Sequence, residues 1–140
     1  MHTLLDSNIL IYSLVDDSPK RDLSQKLIND NQSILYVSHQ VILESLRVLT
    51  HPKFKNPMNY ESALKSVWAI VDALNIISPN PETIFITKEL ISKYQLGSNR
   101  IFDAYLVATA ISNSVDIIAT DNVRHFEGYK EIKILNPFVG

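Results

Sequence analysis

A chain of 140 residues, 46% hydrophobic and 20% charged, has the composition of one globular domain with a single core and is too apolar for a disordered segment. The absence of cysteine excludes disulfides and thiolate metal sites, and a formal net charge of -2 excludes a strongly basic nucleic-acid coat, although a few acids gathered in one site can mask a basic rim. The opening residues reach an acid, Asp6, too early for a signal peptide, and no apolar run approaches the roughly 20 residues that span a bilayer, so a cytoplasmic protein is expected.

His2 to Leu5 is an apolar run of strand length ending at Asp6-Ser7-Asn8, side chains that suit a strand-to-helix turn. A helix follows over Asn8 to Val15 and is broken by Asp16-Asp17-Ser18-Pro19, with Ser18 as the expected N-cap and Pro19 as the first residue of a helix to about Asn29. Ile34 to Val37 reads as a buried strand, and Ser38 caps a helix over His39 to Thr50 that His51-Pro52 stops. Lys53 to Pro57 is a polar loop, after which Asn59 caps an amphipathic helix from Tyr60 to about Leu74 whose Trp68 is expected in the core.

Ile76 to Ser78 is a short strand, and Asn80-Pro81-Glu82 opens a helix to about Tyr94 that Gly97 closes. Ser98 or Asn99 caps the next helix, an almost wholly apolar run to Ile111. Asp116 to Thr120 and Ile132 to Leu135 read as the last strands, the former ending at Asp121-Asn122. Short apolar strands alternating with longer helices indicate βαβ units, and therefore a parallel sheet covered on both faces within one α/β domain over residues 1–140.

Four acids stand out. Asp6 and Asp121 sit at the carboxyl ends of expected strands, where ligands collect in open parallel sheets. Glu44 and Asp103 lie early in helices, among Val, Ile, Leu and Phe. Singly each has an ordinary explanation: helix capping for Asp6 and Asp121, the positive helix end for Asp103, a pair with Arg47 for Glu44. Caps do not explain acids inside apolar helices, however, and carboxylates about 4 Å apart repel by roughly 4 kcal/mol per pair at an effective dielectric near 20. A multivalent cation offsets such repulsion, and oxygen ligands select Mg²⁺ or Mn²⁺, whose retained waters suit phosphodiester chemistry.

The series Leu-Leu-Asp6-Ser-Asn8, Glu44 in an apolar helix, Phe102-Asp103-Ala-Tyr-Leu-Val-Ala108, then Thr120-Asp121-Asn122 with Phe126 and Asn136-Pro137, resembles the PIN-domain nucleases, and within them the VapC-type toxins of toxin–antitoxin modules. The resemblance covers nearly the whole chain. It implies a three-layer α/β/α fold with a central parallel sheet of four to five strands, and an acidic quartet of Asp6, Glu44, Asp103 and Asp121. Of these, Asp6 and Asp103 would be the direct Mg²⁺ ligands, and Asn8 and Thr120 would orient carboxylates or water.

It further implies an endoribonuclease that uses a metal-activated water, a homodimer, and a cognate VapB-like antitoxin lying across the acidic groove. Arg47 and Arg100 are candidates to line an RNA path, with Lys53, Lys55 and Arg124, and His125 is read as a loop histidine near the groove. A haloacid-dehalogenase-like phosphatase would carry a second Asp where this chain has Asn8, and a receiver domain would need an acidic pair before the first-strand Asp. A PIN-like binding module with structural acids is the non-enzymatic alternative, and an RNA-processing nuclease outside a toxin–antitoxin pair is the enzymatic one.

Overall fold

The structure, a computed structural model, describes residues 1–15 and 17–139; Asp16, in the expected helix break, lies outside them. The apolar runs form the strands β1 (His2–Leu5), β2 (Ile34–Ser38), β3 (Asn75–Ile77), β4 (Ile117–Ala119) and β5 (Lys133–Leu135). All pair in parallel in the order β3-β2-β1-β4-β5. The helices between them are α1 (Ser7–Leu14), α2 (Arg21–Ile28), α3 (His39–Leu49), α4 (Tyr60–Val71), α5 (Thr83–Tyr94), α6 (Arg100–Ser112) and α7 (Val123–Phe126).

From β1 the chain moves outward in one direction through β2 to β3, then returns to β4 and moves outward the other way to β5. Right-handed crossovers place α1 to α4 on one face and α5 to α7 on the other. The contacts agree, since α1 packs on α2, α3 and α4, whereas α5 packs on α6. The sandwiched strands bury Leu4, Leu5, Val37 and Ile118 completely, against Ile9, Leu10 and Val41 from one layer and Val107 and Ala108 from the other. The expected α/β sheet of four to five parallel strands is present.

Several boundaries differ from the sequence reading, each for a local reason. Helix α2 starts at Arg21 rather than Pro19, because Ser18 Oγ accepts a hydrogen bond from the Lys20 amide (3.2 Å) and forms a turn instead of a cap. Helix α5 starts at Thr83, since Asn80 Oδ1 takes the Glu82 amide (2.8 Å) in a turn of its own. Its end is set by Gln95, in the left-handed region at φ 53°, and not by Gly97. Asn99 precedes α6 without a side-chain capping bond. Helix α4 stops at Val71 and buries Ala63, Val67 and Val71, which leaves Trp68 41% exposed rather than in the core.

Candidate active site

The register that sets Leu5 beside Ala119 places Asp6 and Thr120 side by side, one residue beyond the carboxyl ends of β1 and β4. The Asp6 amide still donates to the Ala119 carbonyl (2.9 Å). The chain leaves these two strands in opposite directions, so the residues stand at the topological switch point, where open α/β sheets bind ligands. Asp6 caps α1, its Oδ1 accepting from the Ser7 amide (2.8 Å), and its Oδ2 accepts from Thr120 Oγ1 (2.8 Å) and from Asn8 Nδ2 (3.4 Å). Asn8 also donates to Thr120 Oγ1 (3.1 Å) and accepts from the Asp121 amide (3.1 Å), tying β4 to α1.

Asp6 is only 7% exposed, and the hydrogen-bond donors named above are all neutral. Burial pushes its carboxyl above the ordinary range and the negative charge of Asp103 adds to this, while the Thr120 and Ser7 bonds work in the opposite direction.

Two further acids converge on Asp6. Ser38 caps α3, accepting the Val41 amide (3.2 Å), and one turn on the helix delivers Glu44, half-buried. Burial raises the Glu44 carboxyl, the charges of Asp6 and Asp103 raise it further, and Arg47 opposes them. Asp103 enters from the first turn of α6, as the sequence placed it. Its Oδ2 lies 3.0 Å from His125 Nδ1 and 3.1 Å from Arg100 Nε, and Arg100 Nη2 also donates to the His125 carbonyl (2.9 Å). Glu44, Arg47, Asp103 and His125 line an open groove of about 530 Å³ with Gln40 and Phe102.

Asp121 is arranged differently. It follows Thr120 at the same edge, but its Oδ2 accepts from Lys20 Nζ (2.5 Å) and from the Tyr12 hydroxyl (2.8 Å). The Lys20 bond holds its carboxyl below the ordinary range. The sequence reading thus named Asp6, Glu44 and Asp103, which the fold brings into one electrostatic neighbourhood, and Asp121, which pairs with a lysine. It did not single out Tyr12, Lys20 or Gln40. His125 was expected near the groove; its direct pairing with Asp103 is an addition. Arg100, expected on an RNA path, is the counter-charge of Asp103, whereas Arg47 is exposed along the groove.

A cation fits the first three acids on chemical grounds. A buried carboxylate held by neutral donors, with Asp103 raising its cost of ionisation and Glu44 raised in turn by both, has no cation bonded to it among the described residues, although buried anions require positive charge nearby. The donor atoms are oxygens, the set preferred by Mg²⁺ and Mn²⁺. Among the described residues no three His, Asp or Glu side chains close into a ready-made cage. An ion here would therefore take one or two carboxylates and complete its shell with water, as Mg²⁺ ordinarily does.

Comparison with known proteins places the chain among relatives of one family. The family model described as "PIN domain" matches residues 3–131. The VapC ribonuclease Mb2897 of Mycobacterium bovis is 26% identical over 147 aligned positions, covering 97% of this chain and 95% of that protein. The solved structure of VapBC2 from Rickettsia felis, bound to a DNA fragment from their promoter, superposes with a TM-score of 0.74 at 19% identity over 97% of this chain and 98% of that one. FitAcB from Neisseria gonorrhoeae also gives a TM-score of 0.74, at 17% identity over 99% of both chains.

Proposed function

This chain belongs to the PIN-domain family, and on that premise we propose that it is a Mg²⁺-dependent endoribonuclease, a single catalytic domain over residues 1–140 acting as the toxin of a VapBC-type pair. The observation that carries the reading is the state of Asp6: a buried carboxylate at the switch point, with neutral donors and with Asp103 and Glu44 as neighbours. The ribonuclease name of the M. bovis relative supports RNA as substrate, and the VapBC2 complex supports an antitoxin partner.

In this reading Asp6 and Asp103 hold the ion, Mg²⁺ or alternatively Mn²⁺, and Glu44 and Asp121 complete the acidic quartet. When bound, the ion acidifies a coordinated water and neutralises charge building on the phosphate. Thr120 and Asn8 fix the Asp6 carboxylate so that it meets the ion without rearranging. Arg100 and His125 both hold Oδ2 of Asp103, so Oδ1 would be the oxygen offered to the ion, and the Arg100 guanidinium beside it would be placed to meet a phosphate oxygen. Arg47, exposed beside Glu44, offers a second phosphate contact at the groove mouth.

Leu43 and Phe102, 65% and 63% exposed, flank the groove with apolar surface that suits a protein partner. An antitoxin segment laid there brings a cationic side chain against the carboxylates and competes with the ion. Tyr60, Leu64 and Trp68 on α4 form a second exposed apolar strip, consistent with a homodimer or with the antitoxin. No described helix is long and apolar enough to cross a membrane, and we place the pair in the cytoplasm, where RNA and antitoxin meet.

The test is cleavage of defined RNAs with Mg²⁺, with Mn²⁺ and with chelator. The parent protein should cut in either ion and leave 5′-phosphate ends, whereas the chelated protein and Asp6→Asn should not cut. Cleavage by Asp6→Asn at the parent's rate refutes the assignment.

A further inference from the structure

Lys20 occupies an unusual position for a surface lysine. It stands just ahead of α2, and its Nζ lies 5.1 Å from the centre of the Tyr12 ring and 5.1 Å from that of Phe138. The two rings themselves meet edge to face at 5.5 Å and 84°. Phe138 comes from the segment after β5, where Asn136 Oδ1 accepts its amide (3.0 Å), and Tyr12 comes from α1. The ammonium is therefore bracketed by aromatic faces from two distant parts of the chain while it donates to Asp121 Oδ2. The Tyr12 hydroxyl donates to the same oxygen, so ring and carboxylate are tied into one unit.

This arrangement changes what Asp121 can do. Of the four acids, Asp6 has the neutral donors already described, and Asp103 shares Arg100 and His125 with the groove. Asp121 alone has a lysine that is itself held in place from two other sides. A cation that binds Asp121 through Oδ2 must displace that ammonium and break its contacts with both rings, and one that approaches Oδ1 meets a carboxylate whose charge the ammonium already balances. Neutralising one acid this way also lowers the negative charge of the sheet edge by one, and a second divalent ion depends on that charge.

We infer that Lys20 is a built-in counter-cation that reserves Asp121 from divalent metal, so that the site takes one ion, at Asp6 and Asp103, rather than two. The inference rests on the metal-dependent reading above and narrows it. Lys20 acts here through Asp121, and is a positioning residue. The bond to Asp121 favours the charged form of the lysine.

The experiment counts bound Mn²⁺ per chain in the purified full-length protein by electron paramagnetic resonance of the free ion, with folding verified by circular dichroism. The expected result is one ion for the parent, one for Lys20→Arg, and a second, weaker ion for Lys20→Met. In the double variant Lys20→Met with Asp121→Asn the count should return to one. A structural role alone would not move the count and would not distinguish arginine from methionine. Two ions on the parent overturn the inference while leaving the metal-dependent reading intact, and so does a folded Lys20→Met that still binds one. Should Lys20→Met fail to fold, the parent's count decides. No ion on the parent, at concentrations where it cleaves RNA or not, removes the metal-dependent reading and this inference with it.

Discussion

Replacing Thr120 by valine isolates the support of the Asp6 carboxylate. Thr120 is completely buried, and valine has nearly its shape, so the substitution deletes the hydroxyl without opening a cavity. That hydroxyl donates to Asp6 Oδ2 at 2.8 Å and accepts from the Asn122 amide at 2.9 Å and from Asn8 Nδ2 at 3.1 Å. A hydrogen bond to a charged group is worth about 1.5–3 kcal/mol. The other two bonds cost less to lose, because Asn122 is exposed and its amide can turn to water, and Asn8 still reaches Asp6. The net expectation in chelator at neutral pH is a loss of about 2 kcal/mol, or roughly 4–8 °C in the thermal midpoint for a domain of this size.

The loss should shrink as the pH falls and Asp6 takes up a proton, since the hydroxyl then bonds a neutral carboxyl. Thr120→Ser keeps the hydroxyl and is the control. Thermal unfolding followed by circular dichroism from pH 4 to 8 measures all three proteins. A Thr120→Val midpoint within 1 °C of the parent, or a difference that does not vary with pH, refutes the account of how Asp6 is held.

Asp6→Asn should leave the metal-free midpoint unchanged or raise it, because it removes a buried charge, and should abolish the rise that Mg²⁺ produces in the parent; calorimetry with and without chelator reads both. The pH dependence of the parent follows from the sign of the Asp6 shift: its folded carboxyl holds a proton at a pH where the unfolded one, near 3.8, has lost it. The metal-free protein therefore loses stability as pH climbs above 3.8 through the raised value, and Mg²⁺ should stabilise progressively more over that rise; a Mg²⁺ effect independent of pH contradicts this. Asp121 runs the other way, contributing stability above 3.8 that is lost as pH falls through its lowered value. Ser38→Ala removes the cap of the helix that carries Glu44 and should cost about 1 kcal/mol, read by urea unfolding.

The strands were legible because each is a short apolar run buried on both faces, and Glu44 and Asp103 were legible because an acid within an apolar helix needs a partner. The pairing of Asp121 with Lys20 was not, since 101 residues separate them and nothing local marks a lysine before a helix as internal. Trp68 misled because the apolar stripe of α4 is wider than the face it buries. Ala63, Val67 and Val71, four residues apart, take the core, and Leu64 and Trp68 lie on its flank. Ser18-Pro19 carried a helix-start signature that the backbone used for a turn, because the same hydroxyl satisfies either. Pairing of His125 with Asp103 depends on α7 folding back over the start of α6, a tertiary event without a sequence period.

The central claim is that a divalent ion belongs to Asp6 and Asp103. Crystals soaked in Mn²⁺ and measured at an anomalous wavelength test it directly: the account predicts one peak about 2.1 Å from carboxylate oxygens of these two residues, with none at Asp121. A peak on Asp121, or one removed from Asp6, contradicts it.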